Sequence, residues 1–468
     1  MSFGSNNENM LNESQYASDN SWQYKLPYVI FLSIFFIDFA AIRLGIIPRF
    51  STLATDAFAG IVALMAIFYL ARHRSLNIDV KYIIFFFFFC LVMLFGYILN
   101  SVSAGTMLMG IRSYLRFAPF FLLPMILNLS DIQMRSQLRF LLVLALIQFP
   151  IVVLQKFVFK INPDWVAGTL NIGSVLTMFS LSAIAITFGF YLHGRLRFGA
   201  ALILIICFFL PSTLNESKSI VVFLPIMVII SVMITTRTVD KKRLLVVAGL
   251  GATMLFTFIM SYAIFFGTLG VEEERENLFL VDPGKAATHY LFSDTLSDID
   301  PRKMLDLEKR VVGQVPELVM GEDRVARLDS VLLPVVVLSQ DISKLAFGLG
   351  AGNASDSFIT SFSGEYEKYA TLNVSIPQLP IFLWEIGLLG VGMFLMFFIF
   401  IFIDSRYLAN KEGISASIAT GWAAVVVMII LSLPYKPFML FSVLGVLFWY
   451  FSGYIATKCY LDKRGINT

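Results

Sequence analysis

Apolar runs of near-constant length alternate with short polar breaks along most of this chain. A helix crosses the hydrocarbon of a bilayer with about 20 residues. On that measure the sequence predicts spans over 27–47, 53–71, 82–100, 111–128, 138–156, 174–192, 199–214, 219–236, 244–266, 377–403, 414–433 and 437–456. One long polar stretch, from Gly267 to Ser375, breaks the alternation. The expected fold is therefore all-α: a polytopic membrane helical bundle of about 12 transmembrane helices with one large extracytoplasmic loop. Its expected parts are a disordered tail over 1–25, helices over 26–266, the loop over 267–376, helices over 377–456 and a tail over 457–468.

The polar breaks orient the chain. Arg72, Arg74 and Lys81 follow the second span, Arg135 and Arg139 the fourth, and Arg195 and Arg197 the sixth. Arg237, Lys241, Lys242 and Arg243 follow the eighth, and Arg406 and Lys411 the tenth. Lys458, Lys463 and Arg464 end the chain. All fall on one side, which the positive-inside bias makes cytoplasmic. Both termini are then cytoplasmic and the large loop faces outward, into the periplasm of a bacterium whose inner membrane holds the protein.

The loop has a pattern of its own. Val325, Leu328, Val331, Leu332, Val335 and Val336 recur at helical spacing. The expected helix lies on the membrane surface or against the bundle, with Arg324, Arg327 and Asp329 around it and a bend at Pro334. Residues 272–312 are charged with mixed sign and read as solvated surface, including His289.

Composition agrees with a membrane-embedded chain. Hydrophobic residues make up 58% and charged residues 14%, and the mean hydropathy is +0.79, which excludes a soluble globular protein. A net charge of +3 gives no case for nucleic-acid binding. Three cysteines, Cys90, Cys207 and Cys459, form neither a disulfide framework nor a CxxC metal pattern. The polar start lacks the basic end and apolar core of a cleaved signal peptide. No spacing of His73, His193 or His289 resembles a metal site, and no cofactor is expected.

Candidate chemistry gathers on the outer side. In Gly110-Ile-Arg-Ser-Tyr-Leu-Arg, Arg112 and Arg116 stand four apart and share one helix face. Placed where span four opens, they suit a phosphate or pyrophosphate at a helix N-terminus; the alternative is that they snorkel to lipid headgroups. In the turn Leu214-Asn-Glu-Ser-Lys, Glu216 and Lys218 either pair with each other or present a carboxylate and an ammonium to a ligand. Gly348, Gly350 and Gly352 allow a tight, backbone-exposed turn that approaches a ligand closely. They do not open a βαβ unit, so a dinucleotide fingerprint is rejected. Asp38, Gln148, Gln155 and Glu385 are costly inside a membrane. Glu385 is either a site carboxylate or a residue bonded within the bundle, and the glycines beside it favour close helix contact.

Five segments in order resemble the O-antigen polymerase and ligase superfamily, over about residues 105 to 395. They are Gly110-Ile-Arg-Ser-Tyr-Leu-Arg; Gln155 with Asn162-Pro-Asp-Trp-Val-Ala-Gly-Thr-Leu; Leu214-Asn-Glu-Ser-Lys; Arg324 to Asp329 before Phe347-Gly-Leu-Gly-Ala-Gly; and Trp384-Glu-Ile-Gly-Leu-Leu-Gly. The resemblance implies glycosyl transfer from an undecaprenyl-pyrophosphate-linked oligosaccharide on the outer leaflet, without a nucleotide sugar. It also brings in a chain-length regulator and a flippase as partners. Ligases of the superfamily usually carry a histidine shortly before the Glu-x-Gly element. This chain has Asn373-Val-Ser-Ile-Pro-Gln there, which favours a polymerase.

On this reading Arg112, Arg116, Arg324 and Arg327 surround the pyrophosphate, with Lys218 assisting, because preorganised cations stabilise a leaving group's growing charge. The general base is Glu216 first, then Asp329 or Glu385. The rival expectations are a ligase that transfers finished polymer and a flippase or other transporter. A transporter commonly shows paired halves, which this chain does not.

Overall fold

The computed structural model describes residues 22–74, 76–162, 165–170, 172–215, 217, 219–235, 240–267, 327–355, 357, 359–366, 377–437 and 440–466. Among these residues the regular elements are all helical and no β-strand occurs. In chain order they are α1 (Trp22–Asp38, continued by a π-turn Phe39–Arg43), α2 (Ala54–His73), α3 (Val80–Leu99), α4 (Ala104–Leu115) and α5 (Pro119–Ile126). Then come α6 (Asp131–Val153, continued by a π-turn Leu154–Val158), α7 (Gly173–Leu192), α8 (Phe198–Leu214), α9 (Ile220–Thr235) and α10 (Lys241–Gly267). After residues 268–326 follow α11 (Arg327–Leu338), α12 (Ile342–Phe347), α13 (Gln378–Ala409), α14 (Ile414–Ser432) and α15 (Ser442–Lys463). Eight described helical segments are long and apolar enough to cross a membrane, and α8 and α9 are shorter apolar helices. The chain is an all-α polytopic membrane protein.

Each predicted span overlaps a helix. The fourth differs in kind. Its apolar pattern runs unbroken over 111–128, yet the backbone leaves the helix at Arg116–Ala118 and restarts with Pro119 at the first position of α5. Proline fits that position because its missing N–H would have no helical partner there. Other helix starts are set by side-chain caps: Asp79 accepts from the Lys81 N–H, Ser103 from Thr106, and Ser130 forms a reciprocal capping box with Gln133.

The core is built around α14, which is almost wholly enclosed and packs against α7, α9 and α13. Close crossing of α7 and α14 depends on Gly189 and Gly421. A Cβ on Gly421 would lie 2.6 Å from the Ala185 carbonyl oxygen, so any side chain would push the helices apart. The peripheral helices α2 and α3 instead turn Ile67, Phe68, Phe87 and Phe88 outward. Such exposed apolar surface suits hydrocarbon and not water.

One end of the bundle is tied by two acids, Asp404 buried and Asp131 part-exposed, that meet the basic residues of the polar breaks. Asp404, 1% exposed, accepts from Lys81 Nζ and from the Tyr82 hydroxyl, each at 2.6 Å, with Lys463 Nζ at 3.5 Å. Asp131 takes Lys458, the Tyr454 hydroxyl and the Ile414 N–H. A buried carboxylate is tolerated when it is paired and hydrogen-bonded in this way. These ties join α3, α13 and α15, and α6, α14 and α15.

Candidate functional site

The opposite end holds α11, α12 and the glycine turn, assembled on a break in α13. Gly387 there has φ 61° and ψ −170°, which is not helical. Only glycine occupies that region readily. In an unbroken helix the carbonyls of Trp384 and Glu385 would accept from N–H groups one turn on. Here they accept from the glycine turn: Leu349 N–H donates to Trp384 O at 2.7 Å and Gly350 N–H to Glu385 O at 3.0 Å. The turn thus satisfies the backbone that the break leaves open, as a bilayer-depth irregularity requires.

This explains the glycines differently from the sequence reading. Residues 348–354 are buried, and their backbone closes on protein backbone. A Cβ on Gly348 would lie 2.4 Å from the Glu385 carbonyl carbon, and one on Gly352 would lie 2.3 Å from the Thr106 carbonyl oxygen. The expected backbone-exposed turn is a buried one, wedged between α4 and α13. Asn100 Nδ2 donates to the Gly348 carbonyl at 3.0 Å, and Asn353 Nδ2 to Leu349 at 3.0 Å. On the other side Leu333, Val337 and Leu338 of α11 pack with Leu349 and Trp384.

Glu385 is 1% exposed. Its Oε2 accepts from the Tyr114 hydroxyl at 2.8 Å. The Ser355 hydroxyl and the backbone N–H groups of Gly352 and Ala354 also face the carboxylate, although Oε1 makes no hydrogen bond of ordinary geometry. The donors come from α4 and the glycine turn, so one buried side chain joins both to α13. Tyr114 was not among the residues that the sequence singled out. Its only signal was its place between Arg112 and Arg116.

Those arginines occupy the other face of α4. They are not at a helix N-terminus, as the sequence reading has it: Arg112 is in the last turn of α4 and Arg116 is its C-cap. The reason is the break before Pro119, which makes them the end of one helix, where the helix dipole favours cations. Arg112 Nη2 pairs with Asp56 at 2.8 Å, both side chains part-exposed. Arg116 Nη2 donates to the Leu440 carbonyl at 2.7 Å and its guanidinium lies 4.1 Å from the Phe117 ring centroid. Asp56 and, less strongly, Asp38, which meets the Ser442 hydroxyl, are its nearby counter-charges.

The remaining sequence candidates divide into two groups. Gln155 accepts from the Ala167 and Gly168 N–H groups and donates to the Gly168 carbonyl, while Gln148 accepts from Thr169. Both amides hold the Val166–Leu170 segment against α6. Asn215 likewise ties the end of α8 to Gly173 and Thr177 of α7. Glu216, Lys218 and Arg324 lie outside the described residues, as do the tail up to Ser21 and residues 268–326. Arg327 opens α11 and Asp329 stands in its first turn, with side chains outside the described set. The structure therefore brings Glu385, Gly348, Gly350 and Gly352 together, and joins them through α4 to the element that carries Arg112 and Arg116. No protein-family model matches this chain, and no curated protein matches it.

Proposed function

We propose that this chain is a membrane glycosyltransferase that polymerises polyprenyl-pyrophosphate-linked oligosaccharide repeats on the outer leaflet of a bacterial inner membrane, with about 12 crossings and both termini cytoplasmic. The observation that carries this reading is convergence. Three of the motif segments, around Arg112, Gly350 and Glu385, are far apart in the chain and meet at one broken helix. Broken helices at bilayer depth occur where backbone is buried in protein or lines a cavity, and they commonly border substrate sites.

In the proposed reaction an acceptor sugar hydroxyl oxygen bonds to the anomeric carbon of the donor. The bond from that carbon to the pyrophosphate oxygen breaks, its electron pair leaves with the pyrophosphate, and the hydroxyl proton passes to a carboxylate. Arg112 is the first pyrophosphate contact, because its partner Asp56 is part-exposed and a phosphate can replace it. Arg116, held by Leu440, is a positioning residue. Arg324 and Arg327 supply further positive charge and Lys218 assists. Glu385, enclosed and bonded to Tyr114, positions the turn, which leaves Glu216 or Asp329 as the base.

A gel of lipid-linked glycans from a strain lacking the gene tests the reading. A single unpolymerised repeat in place of a ladder is expected, and Arg112→Ala should reproduce it with normal protein in the membrane. A full ladder retained on the polyprenyl carrier would make the protein a ligase. Loss of all outer-leaflet repeats would make it a flippase.

A further inference from the structure

At the basic end, away from the broken helix, a cavity of about 300 Å³ runs between α6, α7, α8, α14 and α15. Its walls are almost entirely apolar, with Phe179 toward one end and Trp422 on the α14 side. On α14 alone the lining extends from Ile414 to Ile429, about 22 Å of helix at ~1.5 Å per residue. The cavity is thus long as well as apolar, the shape of a hydrocarbon chain and not of a compact polar ligand.

Three guanidiniums stand at its mouth: Arg135 and Arg139 on α6 and Arg195 after α7. All three are exposed, and among the described residues none of them forms an ion pair. Asp131, one turn before Arg135, is already engaged by Lys458 and Tyr454. Arg135 and Arg139 are four residues apart and share a helix face. Insertion bias accounts for positive charge at this end, but not for its gathering around the opening of an apolar cavity. Guanidiniums match phosphate oxygens in planar, two-point geometry.

We infer that this cavity binds an anionic phospholipid of the leaflet at the arginine-rich end, one acyl chain inside and the phosphate among Arg135, Arg139 and Arg195. The site is separate from the proposed glycosyl-transfer centre and does not depend on that reading. Its occupant fills space that would otherwise be void between five helices.

The test uses the full-length protein in vesicles with phosphatidylglycerol or phosphatidylcholine brominated on the acyl chain. Bromine quenches tryptophan at contact, and Trp422→Phe isolates the Trp422 signal. Half-quenching of Trp422 should need about tenfold less brominated phosphatidylglycerol than phosphatidylcholine. Arg135→Gln, Arg139→Gln and Arg195→Gln together should remove that preference, and Ala183→Phe, which narrows the apolar body, should lower quenching by both lipids. Equal quenching by the two lipids in the unaltered protein would overturn the inference, whether or not the triple variant folds. Displacement of the brominated lipid by millimolar inorganic phosphate would overturn it also, since it would make the mouth a site for the free ion.

Discussion

At the scale of single residues, the Tyr114–Glu385 pair separates two roles for a buried carboxylate. Glu385→Ala leaves the Tyr114 hydroxyl without its acceptor, and a buried group so orphaned costs about 1–3 kcal/mol. Glu385→Gln keeps an acceptor oxygen and should cost less. Tyr114→Phe removes the bond from the other side and leaves Oε2 without its donor, at a cost of about 1–3 kcal/mol. Thermal unfolding in one detergent should rank the variants in that way, with Glu385→Gln nearest the parent. If Glu385→Gln unfolds as readily as Glu385→Ala, charge and not hydrogen bonding holds the turn. The sequence exposed half of this pair. An acid inside an apolar run is conspicuous because its burial is costly, whereas a tyrosine there is ordinary. Arg112 and Arg116 were equally conspicuous, but hydropathy does not reveal a helix break, so which end of a helix they occupied was hidden.

Among elements, the helices were legible and their interruptions were not. Membrane-length apolar runs leave the backbone few alternatives, because each N–H and C=O must be satisfied within the segment. Gly387 looked like a packing glycine of the Gly-Leu-Leu-Gly run, and only its backbone angles mark the break. Gly387→Ala should therefore cost far more than an ordinary helical Gly→Ala change. The strained backbone accounts for about 1–3 kcal/mol, and the new Cβ would lie 2.5 Å from the Ala346 carbonyl oxygen. A sharp fall in folded yield on size exclusion checks this; an unchanged yield would mean that α13 tolerates a continuous helix.

The short helix α12 gives an element-scale pH effect. Asp341 caps it, accepting from the Ser343 hydroxyl and the Ser343 and Lys344 N–H groups. The Ser343 hydroxyl bond holds its carboxyl below the usual carboxylate range. A depressed folded pKa means that the cap contributes fully above the unfolded value, near 3.9, and is lost as pH falls through the lower folded value. Amide exchange of α12, corrected for intrinsic rates, should show unchanged protection from neutral pH down to about 5 and loss only in stronger acid. Asp341→Asn should remove the acid loss, and Asp341→Ala should cost about 0.5–2 kcal/mol at neutral pH and less in strong acid, where the cap is already lost.

For the whole molecule, the basic polar breaks do two things at once. They orient the chain during insertion, and some of them then build structure: Lys81 and Lys463 neutralise Asp404, and Lys458 meets Asp131. The sequence reading caught the first use, since it depends on counting charges between apolar runs. It missed the second, because Asp404 pairs with Lys81, 323 positions away, and with Lys463, 59 away, and nothing local announces either. The proposed orientation makes a sharp prediction. Ser136, exposed at the start of α6, and Ser361, exposed beyond the glycine turn, are separated by α6 through α10. If all five helices cross, an odd number of crossings puts the two residues on opposite faces. Single-cysteine variants Ser136→Cys and Ser361→Cys, with the native cysteines replaced, should then react oppositely with a membrane-impermeant maleimide: Ser361→Cys in intact cells, Ser136→Cys only after permeabilisation. Labelling of both in intact cells would mean that an even number of these five helices cross, with one of the short helices α8 and α9 failing to span, and would overturn the proposed topology. Labelling of Ser136→Cys alone in intact cells would invert the whole bundle and remove the outer-leaflet substrate from reach.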